Sequence, residues 1–157
     1  MNFKKNVAHY SKLSIDHFHD IIALRINIFV IEQDCPYQDL DGKDKLAYHL
    51  FYTNNKDEVI AATRILPQSI SYAEVSIGRV VVDKDCRGLG MGDLIMEESM
   101  NFVQAKFGKV NVRLSAQKHL ENYYGKHGFA STGNEYLEDG IPHVEMLYEY
   151  KPSEQSN

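Results

Sequence analysis

The chain has 157 residues, 43% of them hydrophobic and 25% charged, an ordinary globular balance with enough apolar material for one core. A net charge of -5, with no Lys/Arg run longer than Lys4-Lys5, excludes a nucleic-acid footprint. No stretch nears the roughly 18 apolar residues of a membrane span, Met1 to Tyr10 is charged and mixed rather than a signal peptide, and a soluble cytoplasmic protein is expected. Cys35 and Cys86 lie far apart with no CxxC or CxxH spacing, so neither a disulfide framework nor a metal site is implied. One domain is expected over 1–150, followed by a flexible tail over 151–157, where Lys151-Pro-Ser-Glu-Gln-Ser-Asn157 is polar throughout.

Ser14 is a fitting N-cap for a helix over about 15–31, with Phe18, Ile21, Ile22, Ile26, Ile28 and Phe29 at near-helical spacing. Glu32 to Lys45 carries Pro36, Gly42 and several aspartates, and reads as an ordered loop. Leu46 to Tyr52 is an aromatic-rich strand, Asn54-Asn55-Lys56-Asp57 a hairpin turn, and Glu58 to Leu66 the returning strand. Ala73 to Val82 is a further strand. A helix follows over about 89–106, with Met91, Leu94, Ile95, Phe102 and Val103 on one stripe and Gly108 at its end. Val110 to Ala116 alternates as a strand, and a short helix over about 118–126 stops before Gly128. Phe129 to Thr132 and His143 to Tyr150 form a last pair around Glu138-Asp139-Gly140. The order is β-α-β-β-β-α-β-α-β-β, a mixed α/β (α+β) class in which helices interrupt a mostly hairpin-connected sheet.

The most informative segment is Val82-Asp-Lys-Asp-Cys-Arg87-Gly88-Leu89-Gly90-Met91-Gly92. An apolar strand enters a glycine-rich turn that opens a helix, leaving bare N–H groups at a positive helix end beside an arginine. That is an anion cradle, and the anion it suits is a pyrophosphate. The competing reading is an ordinary turn whose glycines supply φ > 0. The dinucleotide fingerprint G-x-G-x-x-G and the Walker loop both fit badly, because the spacing is G-x-G-x-G and Gly92 is followed by Asp93.

Arg87-x-x-Gly90-x-Gly92 matches the R/Q-x-x-G-x-G/A signature of the GNAT (general N-acetyltransferase) superfamily, and Gly78-Arg79-Val80-Val81-Val82-Asp83 resembles its lead-in strand. Leu120-Glu-Asn-Tyr-Tyr124-Gly-Lys-His-Gly128-Phe129 is similar to its A-x-x-x-Y-x-x-x-G-F element. Leu24-Arg25-Ile-Asn-Ile-Phe29-Val-Ile-Glu32-Gln33-Asp-Cys-Pro36-Tyr37-Gln-Asp39-Leu-Asp41 and Tyr136-Leu-Glu138-Asp139-Gly140-Ile141-Pro142-His143-Val-Glu145-Met146 resemble two segments of the ElaA-like acetyltransferases. The likeness spans about residues 15 to 150. It implies a mostly antiparallel central sheet of six to seven strands, flanked by helices and splayed at its two central strands.

It also implies direct acyl transfer from acetyl-CoA, as co-substrate, to an amine of a small molecule or exposed protein residue. The cradle would be the N–H groups of Arg87, Gly88, Leu89, Gly90, Met91 and Gly92 with the Arg87 guanidinium. The backbone of Val80, Val81 and Val82 would pair with the pantetheine arm, one N–H near Val80 or Val81 polarising the acetyl carbonyl. Tyr124 would protonate the departing thiolate, unless it only packs beneath the cofactor arm, and Asn122 would hydrogen-bond the cofactor. For the base, Glu74, Glu32, His143 and Glu145 stand open beside water. Arg25, Glu32, Gln33, Tyr37, Asp39 and Asp41 would form an acidic, amide-bearing acceptor rim suited to a cationic amine. The rival functions are a non-catalytic acyl-CoA-binding module and a nucleotide-binding interaction domain. The acceptor itself is not named by the sequence, and the aromatics at Tyr48 to Tyr52 or Tyr148 to Tyr150 mark a possible homodimer edge.

Overall fold

The computed structural model describes residues 2–152, so most of the expected tail lies outside the described residues. Seven strands form one sheet in the order β1-β2-β3-β4-β5-β7-β6. They are β1 (Lys4–His9), β2 (Tyr48–Thr53), β3 (Val59–Leu66), β4 (Val75–Val82), β5 (Val112–Gln117), β6 (Ala130–Glu138) and β7 (Ile141–Tyr148). Helix α1 (Ile15–Arg25) leads from β1 towards β2, α2 (Met91–Phe107) joins β4 to β5, and α3 (Glu121–Lys126) joins β5 to β6. Every neighbouring pair is antiparallel except β4 and β5, which are linked by the α2 crossover and run parallel.

The two faces of the sheet bury separate clusters. Ile95, Met96, Met100 and Val103 of α2 pack with Leu50, Ile65, Ile77, Leu114 and Met146 in the larger core. On the other face Ile21, Leu24 and Ile28 meet Phe51, Val59, Ala62 and Val81. Such large apolar side chains contribute about 1.5–3 kcal/mol each when fully buried.

Ser14 caps α1 by accepting from the His17 N–H at 3.0 Å. The expected helix to residue 31 is present as a helical path, but it widens into a π-helix over Ile26–Glu32. The Gln33 and Cys35 N–H groups reach back five residues, to the carbonyls of Ile28 and Val30, at 3.1 and 3.0 Å. Strand β6 is longer than its apolar start implied. Apart from the half-buried Tyr136 its residues are exposed, Leu137 among them, as a sheet edge permits, and it bulges between Ser131 and Glu135.

Candidate active site

The parallel junction is the functional opening. β4 and β5 pair only at Val75↔Val112 and Ser76↔Arg113. Beyond that point the strands part, so β4 from Ile77 to Val82 has a backbone edge with no partner on the β5 side. On its other side β4 bulges against β3 where the register shifts between Ala62 and Arg64. Arg79 sits in the bulge at φ 51°, a left-handed conformation that an L side chain adopts only under constraint. A cleft of about 1010 Å³ runs through this gap, from Arg87 and Gly92 at one end to Lys43, Ser71, Glu138 and His143 at the other.

At the first end, the glycine loop is open. Arg87 to Gly90 are exposed. Gly88 and Gly90 take φ 81° and 77°, and Gly90 begins α2 without a side-chain cap. The last loop amides with backbone partners are Cys86 and Arg87, and pairing resumes at Leu94 N–H to the Gly90 carbonyl, 3.0 Å. Among the described residues the N–H groups from Gly88 to Asp93 have no hydrogen-bond partner, and they lie at the N-terminus of α2. Met91 contributes only its backbone here, since its side chain is core. Asp93 turns aside to His127 Nε2 at 2.9 Å and to Lys126, and these contacts hold its carboxyl below the ordinary range. The Cys86 thiol is buried and pushed up by that burial and by Asp83 and Asp85, which fits a passive filler.

Tyr123 and Tyr124 do different work. The Tyr123 hydroxyl donates to the Gly92 carbonyl at 2.5 Å and ties α3 to the first turn of α2. Tyr124 is 7% exposed, lines the cleft, and its hydroxyl makes no hydrogen bond among the described residues. Burial pushes its phenol up to about 12. Asn122 is exposed on the same helix and stands outside the cleft lining.

The acceptor side corrects several expectations. Arg25 is 1% exposed and is not presented to the cleft. Its Nε donates to Asp39 at 2.8 Å and its Nη1 to Asp44 at 2.7 Å. Arg64 binds Asp41 through both terminal nitrogens at 2.8 and 2.9 Å, and Arg79 Nη2 donates to the Asp39 carbonyl at 3.1 Å. Arg79 Nε lies 3.0 Å from Asp39 but out of line for a hydrogen bond, and Arg64 Nε is buried without a hydrogen-bond partner among the described residues. The aspartates of the expected acidic rim are thus neutralised by arginines. Burial pushes Asp41 and Asp44 up, yet the arginine hydrogen bonds outweigh it and hold both carboxyls below their ordinary value. Tyr37 lies in the cleft, donating to Asp39 at 2.7 Å beneath the Arg79 guanidinium.

Glu74 is outside the cleft lining. It is bidentate with Arg113 at 2.9 Å for both contacts, and that pairing lowers its carboxyl, which removes it as a base for chemistry in the gap. Glu145 also pairs with Arg113, at 3.1 Å. His143 does line the cleft, but both ring nitrogens are engaged: Nδ1 with the Ile141 carbonyl at 2.7 Å and Nε2 with Glu138 at 3.1 Å. It holds the β6–β7 turn, with its ring stacked on Tyr136. Gln33 receives a hydrogen bond from Gln117 across the cleft at 3.2 Å. Glu32 forms a bidentate pair with Arg87, at 2.6 and 3.0 Å, across the mouth of the cleft. The aromatic run at Tyr48 to Tyr52 is no dimer edge, because β2 is an interior strand and Phe51 and Tyr52 are buried.

Sequence reasoning did not single out Lys43, Arg64, Ser71, Tyr72 or Ser115, all of which line the cleft. Only the strand register could have found Arg64 and Ser115, and no local pattern marks the other three. The Tyr136 hydroxyl donates to Ser115 Oγ, linking β6 to the cleft wall.

Residues 7–150 match the family model of the acetyltransferase (GNAT) domain. The protein ElaA of Escherichia coli K12 is 38% identical over 143 residues, covering 90% of this chain and 93% of that protein. The crystal structure of Escherichia coli ElaA superposes with a TM-score of 0.87 at 36% identity, over 94% of this chain and all of that one. An acyl-CoA N-acyltransferase from Pseudomonas aeruginosa superposes with a TM-score of 0.88 at 35% identity, over 93% and 99%.

Proposed function

The chain belongs to the GNAT family of N-acetyltransferases, and from that premise we propose that it transfers an acetyl group from acetyl-CoA directly to an amine. The observation that carries the reading is the run of unpaired amides from Gly88 to Asp93 beside the bare edge of β4. The amides and Arg87 would bind the pyrophosphate, with charge-assisted hydrogen bonds at a helix N-terminus. The free edge from Ile77 to Val82 offers the pantetheine amides the pairing that β5 does not supply.

The bulge leaves Arg79 and Val80 without partners in the β3 ladder, while Val81 and Val82 pair with Ala62 and Ala61, so that an N–H at Val80 can meet the acetyl oxygen as charge develops on it. The amine attacks the carbonyl carbon, the C–N bond forms, the C–S bond breaks and the electron pair leaves on sulfur. Tyr124 donates its proton to that sulfur. A phenol near 12 keeps its proton throughout the neutral range. The desolvation that raises it raises a neighbouring thiolate as well, so donor and acceptor stay far better matched than water and thiolate. With Glu74 off the cleft and His143 committed at both nitrogens, the amine proton passes to water in the open acceptor end.

The test is calorimetric titration with acetyl-CoA followed by thiol release with an amine panel. Tyr124→Phe is expected to lower kcat about a hundredfold while the acetyl-CoA Kd stays within about two-fold. An unchanged kcat removes Tyr124 as the acid, and an absence of acetyl-CoA binding ends the proposal.

A further inference from the structure

The charges along the cleft form a ledger with one cation left over. Arg87 is matched by Glu32. Arg64 and Arg79, with Arg25 behind them, are matched by Asp39, Asp41 and Asp44. Lys43 is the one lysine or arginine of the lining with no carboxylate within ion-pair distance among the described residues. Its ammonium is half-buried and donates to the Ser71 hydroxyl at 2.8 Å. That bond fixes where the charge points without neutralising it, and a partly desolvated ammonium favours an anion beside it.

The facing wall has the opposite sign. Glu138 and Asp139, at the turn between β6 and β7, bring two carboxylates to the cleft lining; Glu138 meets His143 Nε2 at 3.1 Å, and neither carboxylate has a lysine or arginine within ion-pair distance among the described residues. The two walls are close neighbours. The Cys35 thiol, from the loop leading to Lys43, contacts the Asp139 carbonyl at 3.8 Å. Tyr72, next to Ser71, packs by the Tyr136 hydroxyl of the hairpin. Arginines have neutralised the expected acidic rim, so a purely cationic amine finds a lysine on one side of its path.

We propose that the acceptor is a primary amine that also carries a carboxylate, of the free amino-acid type. Lys43, with Ser71, holds the carboxylate, and the Glu138–Asp139 turn faces the ammonium before it loses its proton. This rests on the acetyl-transfer reading, since it assigns the acceptor for that reaction. It makes Lys43 a specificity-determining residue with no part in bond making.

The experiment offers the acetyl-CoA-loaded protein the common L-amino acids, each beside its α-amide and its decarboxylated amine, and follows thiol release. The free acid of the favoured set is expected to exceed its amide by about ten- to a hundredfold in kcat/KM, the range for a charged hydrogen bond lost. Lys43→Met should bring acid and amide within about three-fold, Lys43→Arg should retain most of the preference, and both should keep the wild-type acetyl-CoA Kd, which reports an intact fold. Amides or plain amines acetylated as well as acids, no amine acetylated at all, or a preference that survives in Lys43→Met, overturns the assignment while acetyl-CoA binding stands. Failure to bind acetyl-CoA overturns the underlying reaction and this assignment with it.

Discussion

Two arginine–carboxylate groupings border the cleft, and the difference between them is solvent. Arg25, Asp39 and Asp44 are each at most 5% exposed and lock the loop after the π-helix against the end of α1. Arg87 and Glu32 make an equally well-formed bidentate pair, but with 46% and 38% of their side chains exposed. A sealed pair cannot trade partners, because breaking it strands a charge in a low dielectric. An exposed pair gives little stability and is exchangeable. The same chemistry is therefore scaffold in one place and a replaceable stopper on an anion site in the other.

The sharpest way to break this contrast is Arg25→Met, which leaves Asp39 and Asp44 buried with one cation fewer. It is expected to cost about 3–5 kcal/mol of folding stability, measured by urea unfolding, with the acetyl-CoA Kd of the folded fraction unchanged. The same network sets the acid limit of the wild type. Asp41 and Asp44 are held below their ordinary value in the folded state, so their stabilisation is present above about pH 4 and drains away as pH falls through the folded range. Urea midpoints that stay level between about pH 4 and pH 2 contradict it.

At the exposed site the expected effects fall on binding instead of folding. Arg87→Gln should weaken acetyl-CoA about ten-fold, flatten the salt dependence of binding and leave the melting temperature in place. Glu32→Gln should act in the opposite direction and more weakly. It frees Arg87 from its competing carboxylate, and calorimetry should find acetyl-CoA bound about two- to five-fold more tightly. Weaker binding in Glu32→Gln would falsify the idea that Glu32 competes with the pyrophosphate.

Local patterns in the chain predicted the element order, the capped start at Ser14 and the open glycine loop, because periodicity, caps and turn chemistry act over a few residues. The π-helical widening at Ile26–Glu32 was not legible, since its apolar spacing also fits an α-helix. Nor was the length of β6, whose exposed residues carry no alternation. The role of Arg25 was hidden for a different reason. Whether it meets substrate or aspartates depends on a chain reversal that brings residues 14 and 19 positions away around its guanidinium. Glu74 was misplaced in the same way, as Arg113 reaches it from 39 positions along the chain. Lys43 was missed because a lone lysine in a charged loop resembles any solvated one until its neighbours are counted.

The seam between β4 and β5 has a mechanical consequence. Two rungs alone join a four-stranded leaf, β1 to β4, to a three-stranded leaf of β5, β7 and β6. The leaves are otherwise bridged by α2 and by side-chain packing, so the sheet behaves as a book with a short spine. A molecule laid along the vacant margin of β4 would act as a bookmark that stiffens the binding, and amide-exchange protection along β4 and β5 would rise together on its arrival.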